Sequence, residues 1–172
     1  MIRPLAVALA LATLPLAAPA CGGAAAPMPP SAASPLAGNP LPDFQRRSLG
    51  GAQVDTKGLR GRVVVVKFFA KYCEPCKKTL PAVESLAKER AEIAFIGVAE
   101  DEYEADVQEV VGTYGLTFPV VHDRGNVLSG RYRVSEMPVT FVADAQGVVR
   151  WVGGPGQSED DLARAVSAIG QP

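Results

Sequence analysis

Residues Val63 to Phe69, Val-Val-Val-Val-Lys-Phe-Phe, restrict the fold more than any other stretch of this chain. A strand with one wet face alternates apolar and polar side chains, and this run does not alternate. Its β-branched and aromatic side chains therefore predict a central strand covered on both faces. Four residues later comes Cys73-Glu74-Pro75-Cys76, and then a helical stretch to about Arg90. Leu80, Val83, Leu86 and Ala87 give that helix one apolar face. A buried strand thus delivers a Cys-x-x-Cys to the start of a helix.

That placement has a direct chemical use. The first sulfur sits where unpaired N–H groups and the helix dipole favour negative charge. Thiolate is the reactive form, so Cys73 is predicted to be the attacking sulfur and Cys76, one turn further in, the resolving one. Pro75 suits a first helical turn, where no amide hydrogen is needed. Zinc normally takes four ligands, and only His122 and the remote Cys21 are left to supply them, so no metal site is expected. A purely structural disulfide is poorly motivated, because so short a loop removes little unfolded-state entropy.

The remaining pattern supports one layered α/β domain. Phe44–Ser48 and Ala52–Val54 flank Leu49-Gly50-Gly51 as a small hairpin. Ile93–Ala99 reads as a second buried strand, and Glu104–Tyr114 as a helix ended by Gly115. A short extended piece over Phe118–Val121 and a short helix over Asn126–Tyr132 follow. Val139–Ala143 and Val148–Val152 flank Asp144-Ala145-Gln146-Gly147 as a hairpin, and Ser158 caps a last helix. His122 is expected in a surface loop, and Glu100-Asp101-Glu102 with Glu104 as a solvated helix entrance. Trp151 is expected to pack in the core or at its edge.

The N-terminus has a different character. Arg3 precedes a nearly continuous Ala/Leu/Val run from Leu5 to Leu16, then Ala18-Pro19-Ala20-Cys21. The run falls short of the roughly 20 apolar residues a membrane span needs, and residues 1–20 are expected to be a signal peptide. Cys21 after small residues resembles the lipid-attachment cysteine of bacterial lipoproteins, which implies an anchor on the outer side of a membrane. Residues 21–40 carry almost nothing large enough to bury and are expected to be a flexible tether. The folded domain is then 41–172. With 17 basic and 18 acidic residues and no long like-charge block, the chain gives no reason to expect nucleic acid.

The stretch Val63–Lys78 resembles the active-site strand and helix start of TlpA/ResA-type thioredoxin-like proteins. Pro81 matches the proline that kinks the thioredoxin helix, and Val134–Val142 resembles the strand preceded by a cis-proline. The similarity covers roughly Leu41 to Ile169. It implies a central mixed sheet flanked by helices, an N-terminal hairpin, and an extra helix between the second core strand and the cis-proline strand. It also implies thiol–disulfide exchange with exported proteins, for example during cytochrome c maturation, with electrons resupplied by a membrane thiol carrier and no cofactor beyond the Cys73–Cys76 disulfide. Nothing in the sequence suggests a symmetric interface, and a monomer is expected. Met137 and Pro138 would then face the pair, with the Met137 backbone free to meet an extended substrate.

Several positions depart from that pattern. Tyr72 stands where Trp is usual and is expected to cover one side of the disulfide. Thr79 replaces a glutamate, and Lys67 occupies the place of thioredoxin's buried aspartate. Without those carboxylates Cys76 lacks an obvious general base. Lys67 either favours thiolate and makes the disulfide more oxidising, or snorkels to the surface beside Lys71. Glu74 and Pro75 are expected to tune the pair. The rival readings are a thiol oxidant, a thiol peroxidase of the same fold, and a copper-binding chaperone. Peroxidases of this fold usually carry Pro-x-x-x-Thr/Ser-x-x-Cys, absent before Cys73, and copper chaperones tend to use Cys-x-x-x-Cys with a distant His.

Overall fold

The computed structural model describes residues 27–170. Residues 1–20, expected to be a signal peptide, and Cys21 lie outside the described residues. A two-stranded antiparallel hairpin, β1 (Gln45–Arg47) and β2 (Gln53–Asp55), precedes a five-stranded sheet. The sheet contains β3 (Val64–Phe69), β4 (Ala94–Ala99), β5 (Val120–His122), β6 (Val139–Ala143) and β7 (Val149–Gly153), in the order β5-β4-β3-β6-β7. β3, β4 and β5 are parallel, and β6 and β7 return antiparallel as the C-terminal hairpin. The helices are α1 (Glu74–Glu89), α2 (Glu104–Tyr114), α3 (Val127–Arg131) and α4 (Glu159–Ile169).

The unalternating run behaves as its composition requires. β3 is central, and all six of its residues are buried. Val65 and Phe69 enter a core with Cys76, Leu80 and Val83 of α1, Val107 and Val110 of α2, and Leu162 and Val166 of α4. Val64, Val66 and Phe68 enter the opposite core with Phe44, Leu128, Tyr132 and Phe141. Phe68, Tyr132 and Phe141 pack there with ring centroids 5.1 to 5.9 Å apart.

Local signals set the helix ends. α2 stops at Gly115, whose φ of 59° is left-handed and suits a residue without Cβ. Ser158 and Asp161 form a reciprocal capping box on α4. α1 is also fastened from its side: Glu84 is buried and accepts hydrogen bonds from the Thr117 N–H and hydroxyl, both at 2.8 Å.

The boundary at Leu41 is corrected. Residues from Pro30 onward lie along the outer edge of β7. The Ala32 N–H donates to Val152 O at 2.7 Å and the Gly38 N–H to Val149 O at 2.8 Å. The buried Trp151 indole donates to Pro30 O at 3.0 Å. Composition hid this because small residues contribute little to a core, whereas their backbone groups can still complete an open strand edge.

Two outcomes follow from these contacts. A chain beginning at Leu41 should be less stable to urea than one beginning at Pro27, by about 1–3 kcal/mol, since it uncovers the β7 edge and the indole N–H. Equal midpoints would make the strap passive. Gly97 on β4 is the second case: a Cβ there would lie 3.0 Å from both Phe69 Cε1 and Val120 Cγ2. Gly97→Ala should cost roughly 1–3 kcal/mol of unfolding free energy.

Candidate active site: the Cys73–Cys76 pair

β3 ends at Phe69, and three residues lead to Cys73, the N-cap of α1. Cys73 and Cys76 form a disulfide. The Cys76 N–H donates to Cys73 Sγ at 3.2 Å, so the first sulfur occupies the position that a capping oxygen fills in other helices. Cys73 keeps 7% exposure and Cys76 has none. The outer sulfur is the reachable one, and the inner sulfur is reached only through it. Pro75 sits in the first turn, and Pro81 lies within the helix.

The loop before Cys73 is fastened by residues that periodicity did not single out. Asp101, buried rather than solvated as expected, accepts the Lys71 N–H at 2.9 Å. The Lys71 ammonium bridges Asp106 and Glu109 of α2, both at 2.8 Å, and those hydrogen bonds hold its pKa above the ordinary lysine value. His122 is also corrected: it closes β5 instead of lying in a loop, and its Nε2 is 2.7 Å from Asp101 O. Partial burial raises the pKa values of Glu100 and Asp101. Only the position of these residues after a buried strand could have pointed to them, since neither charge nor spacing separates Asp101 from Glu102.

The predicted tuning residues divide. Tyr72, the residue before Cys73, is 68% exposed. Its hydroxyl pKa is raised by partial burial and by Glu100 and Asp101 nearby. Glu74 is exposed and pairs with Lys77 at 2.5 Å. Thr79 donates its hydroxyl to Cys76 O at 3.0 Å, so it touches the backbone of the inner cysteine. The Met137–Pro138 bond is cis. Met137 packs against the core cluster that contains both cysteines, and it precedes the β3–β6 ladder, which begins at Val139.

Lys67 does not snorkel. It is fully buried in the middle of β3, and its ammonium nitrogen has no hydrogen-bond partner. Burial alone brings its pKa down from the ordinary lysine value to about 7. Snorkelling fails because β3 has sheet on both edges and a core on both faces, so no path to water lies within reach of the stem. Among the described residues no cluster of His, Cys, Asp and Glu could hold a metal ion.

The AhpC/TSA family model matches residues 37–152. The thioredoxin-like protein YneN of Bacillus subtilis is 32% identical over 117 residues, spanning 66% of this chain and 68% of that protein. The thiol-disulfide oxidoreductase ResA of Bacillus thuringiensis is 33% identical over 114 residues, 65% of this chain and 66% of that protein. Among solved structures, a secreted Mycobacterium tuberculosis disulfide oxidoreductase homologous to Escherichia coli DsbE superimposes with a TM-score of 0.68 at 28% identity, covering 73% of this chain and 96% of that one. A helix-capping Cys-x-x-Cys after a central strand, in a chain with these relatives, is a thiol redox site. The chain belongs to the AhpC/TSA family and is a thiol–disulfide oxidoreductase of thioredoxin-like fold, akin to ResA.

Proposed function

We propose that this protein works outside the cytoplasm and reduces disulfides in specific exported proteins, with electrons resupplied by a membrane thiol carrier. The observation that carries the reading is the Cys73 sulfur at the N-cap of α1, accepting the Cys76 N–H while its partner sulfur stays buried. Such a site favours thiolate at the accessible sulfur. The Cys73 thiolate attacks a substrate disulfide, breaking it, releasing one substrate thiolate and forming a mixed disulfide. Cys76 then attacks Cys73 Sγ, the internal disulfide forms, and the second substrate thiolate leaves with the electron pair. The Met137 backbone, at the cis-proline and ahead of the β6 ladder, is the surface proposed to meet an extended substrate.

Export is supported by the apolar run Leu5–Leu16 before Ala18-Pro19-Ala20-Cys21, and by the relative described as secreted. Cys21 is the proposed lipid-attachment residue, with the following small residues as the start of a tether. No described helix is long and apolar enough to cross a membrane. Assembly of c-type cytochromes, whose haem-binding cysteines must be reduced, is the proposed pathway class, and the working unit is proposed to be a monomer.

A second reading has its own observation. The buried Lys67 beneath the pair would stabilise a thiolate and raise the potential, as an oxidant requires. Equilibration with graded redox buffers separates the two. A reductase should poise near thioredoxin, about −270 mV, and an oxidant near DsbA, about −120 mV. Peroxide consumption in a coupled thiol assay would instead point to a peroxidase. Cys76→Ser should accumulate mixed disulfides between Cys73 and exported proteins, visible as reducible bands, whereas Cys73→Ser should form none. Bands of equal strength in both variants would remove Cys73 as the attacking sulfur.

A further inference from the structure

Two buried polar groups in the middle of the sheet have no hydrogen-bond partner: Lys67 Nζ on β3 and Thr140 Oγ1 on β6. They are not scattered. Lys67 pairs with Thr140 across the β3–β6 ladder, both residues are fully buried, and neighbours across a ladder share a face. That face is the one α1 covers, because Val65 and Phe69 flank Lys67 at two-residue spacing and pack in the same cluster as Cys73, Cys76 and Leu80. On the other side Lys67 is opposite Gly97, which offers no side chain of its own and is crowded by Phe69, Phe118 and Val120. The amine is therefore held in the core layer that also contains both sulfurs, and Thr140 lies two residues beyond the cis-proline.

Unpartnered buried amines are costly, and native structures rarely keep one without a reason. No carboxylate is placed to answer this one. Glu84 on α1 is engaged by Thr117 and Lys88. Glu100 and Asp101 lie beyond the far end of β4, with Asp101 committed to the Lys71 amide. The helices above contribute aliphatic side chains, so the titratable groups of that layer are Cys73 and Cys76. While the sulfurs are joined, the layer holds no anion beyond the already engaged Glu84. Reduction creates one.

We propose that Lys67 is the redox-linked proton site of the Cys73–Cys76 pair, a neutral amine beneath the disulfide that becomes an ammonium facing the Cys76 thiolate when the pair is reduced. The inference rests on the exchange chemistry proposed above. Two electrons from a donor dithiol break the Cys73–Cys76 bond, and the proton that would sit on Cys76 resides on Lys67, with the Thr140 hydroxyl free to accept from the ammonium. In the opposite direction the Cys76 thiolate attacks the mixed disulfide at Cys73 Sγ, the internal disulfide forms, and the proton left on Lys67 passes to the departing substrate thiolate or to water. Lys67 acts through Cys76 and is a positioning residue. An amine whose burial has brought its pKa to about 7 can exchange that proton near neutrality.

The test is the exchange equilibrium of the full chain with glutathione, measured by thiol trapping from pH 5.5 to 8.5, for the native protein and Lys67→Met. Above neutrality the Cys76–Lys67 unit takes up one proton on reduction in both proteins, and the ratio of their exchange constants should be flat. Below neutrality Lys67 is already protonated in the disulfide form and the native unit takes up none. The ratio should then change about tenfold per pH unit, which is about 30 mV. A ratio constant at every pH would mean a merely structural lysine and would overturn the inference. Should Lys67→Met fail to fold, 13C-labelled lysine in the native chain provides the same reading. One lysine should titrate near neutrality in the disulfide form and at least one pH unit higher in the dithiol form, and unchanged titration would overturn the inference. Absence of any exchange with glutathione would sink the thiol–disulfide reading itself, and this inference with it.

Discussion

The two-sided burial of β3 is the constraint on which the rest of the structure depends. One strand carries Val64, Val66 and Phe68 into one core and Val65 and Phe69 into the other, so both helical layers are referenced to it. Its parallel neighbour β4 and antiparallel neighbour β6 satisfy its backbone along its length. The strand then stops, and the chain turns into α1 within a few residues. The position of Cys73 is thus inherited from the best-buried element of the fold. A reactive sulfur gains from this, because a donor N–H at the helix end is useful only if the helix cannot shift.

Around that axis the charges are divided by depth. The surface near the pair carries two sets of ion pairs: Lys71 with Asp106 and Glu109, which fastens the loop, and Glu74 with Lys77 within α1. Exposed pairs contribute little each, and the effect of the Lys71 pairs is to hold the approach to Cys73 against α2. Beneath the pair there is no such compensation. Lys67 and Thr140 occupy the centre without partners, a configuration that costs stability in the disulfide form. Stability given up by two facing groups in the middle of a sheet points to use of that place in chemistry.

Much of this was legible beforehand, and for identifiable reasons. β3, β4 and the C-terminal hairpin were readable because unbroken β-branched runs and an Asp-to-Gly turn have few alternative uses. The helix ends were readable from Gly115 and Ser158. The working cysteines were readable because a two-residue spacing at a helix start is itself a chemical arrangement. The cis Met137–Pro138 bond came from resemblance rather than from any local signal. What was missed has a common cause. Asp101, the Glu84 clamp on Thr117 and the strap from Pro30 to Pro40 along β7 all join residues far apart in the chain. Periodicity describes one segment at a time and says nothing about which distant backbone group will need a partner.

The division is clearest at Lys67 and Thr79, where each residue type allowed more than one role. Local pattern determined that the chain would form a helix-flanked sheet and that Cys73 would open a helix, because propensity, alternation and capping act over a few residues. Only the tertiary structure decided that the Thr79 hydroxyl bonds to Cys76 O and that Lys67 is sealed inside. The physical reason is that a side chain's solvation is a property of everything packed around it. The same lysine on an edge strand would be a solvated charge, and on this central strand it is an amine without a partner.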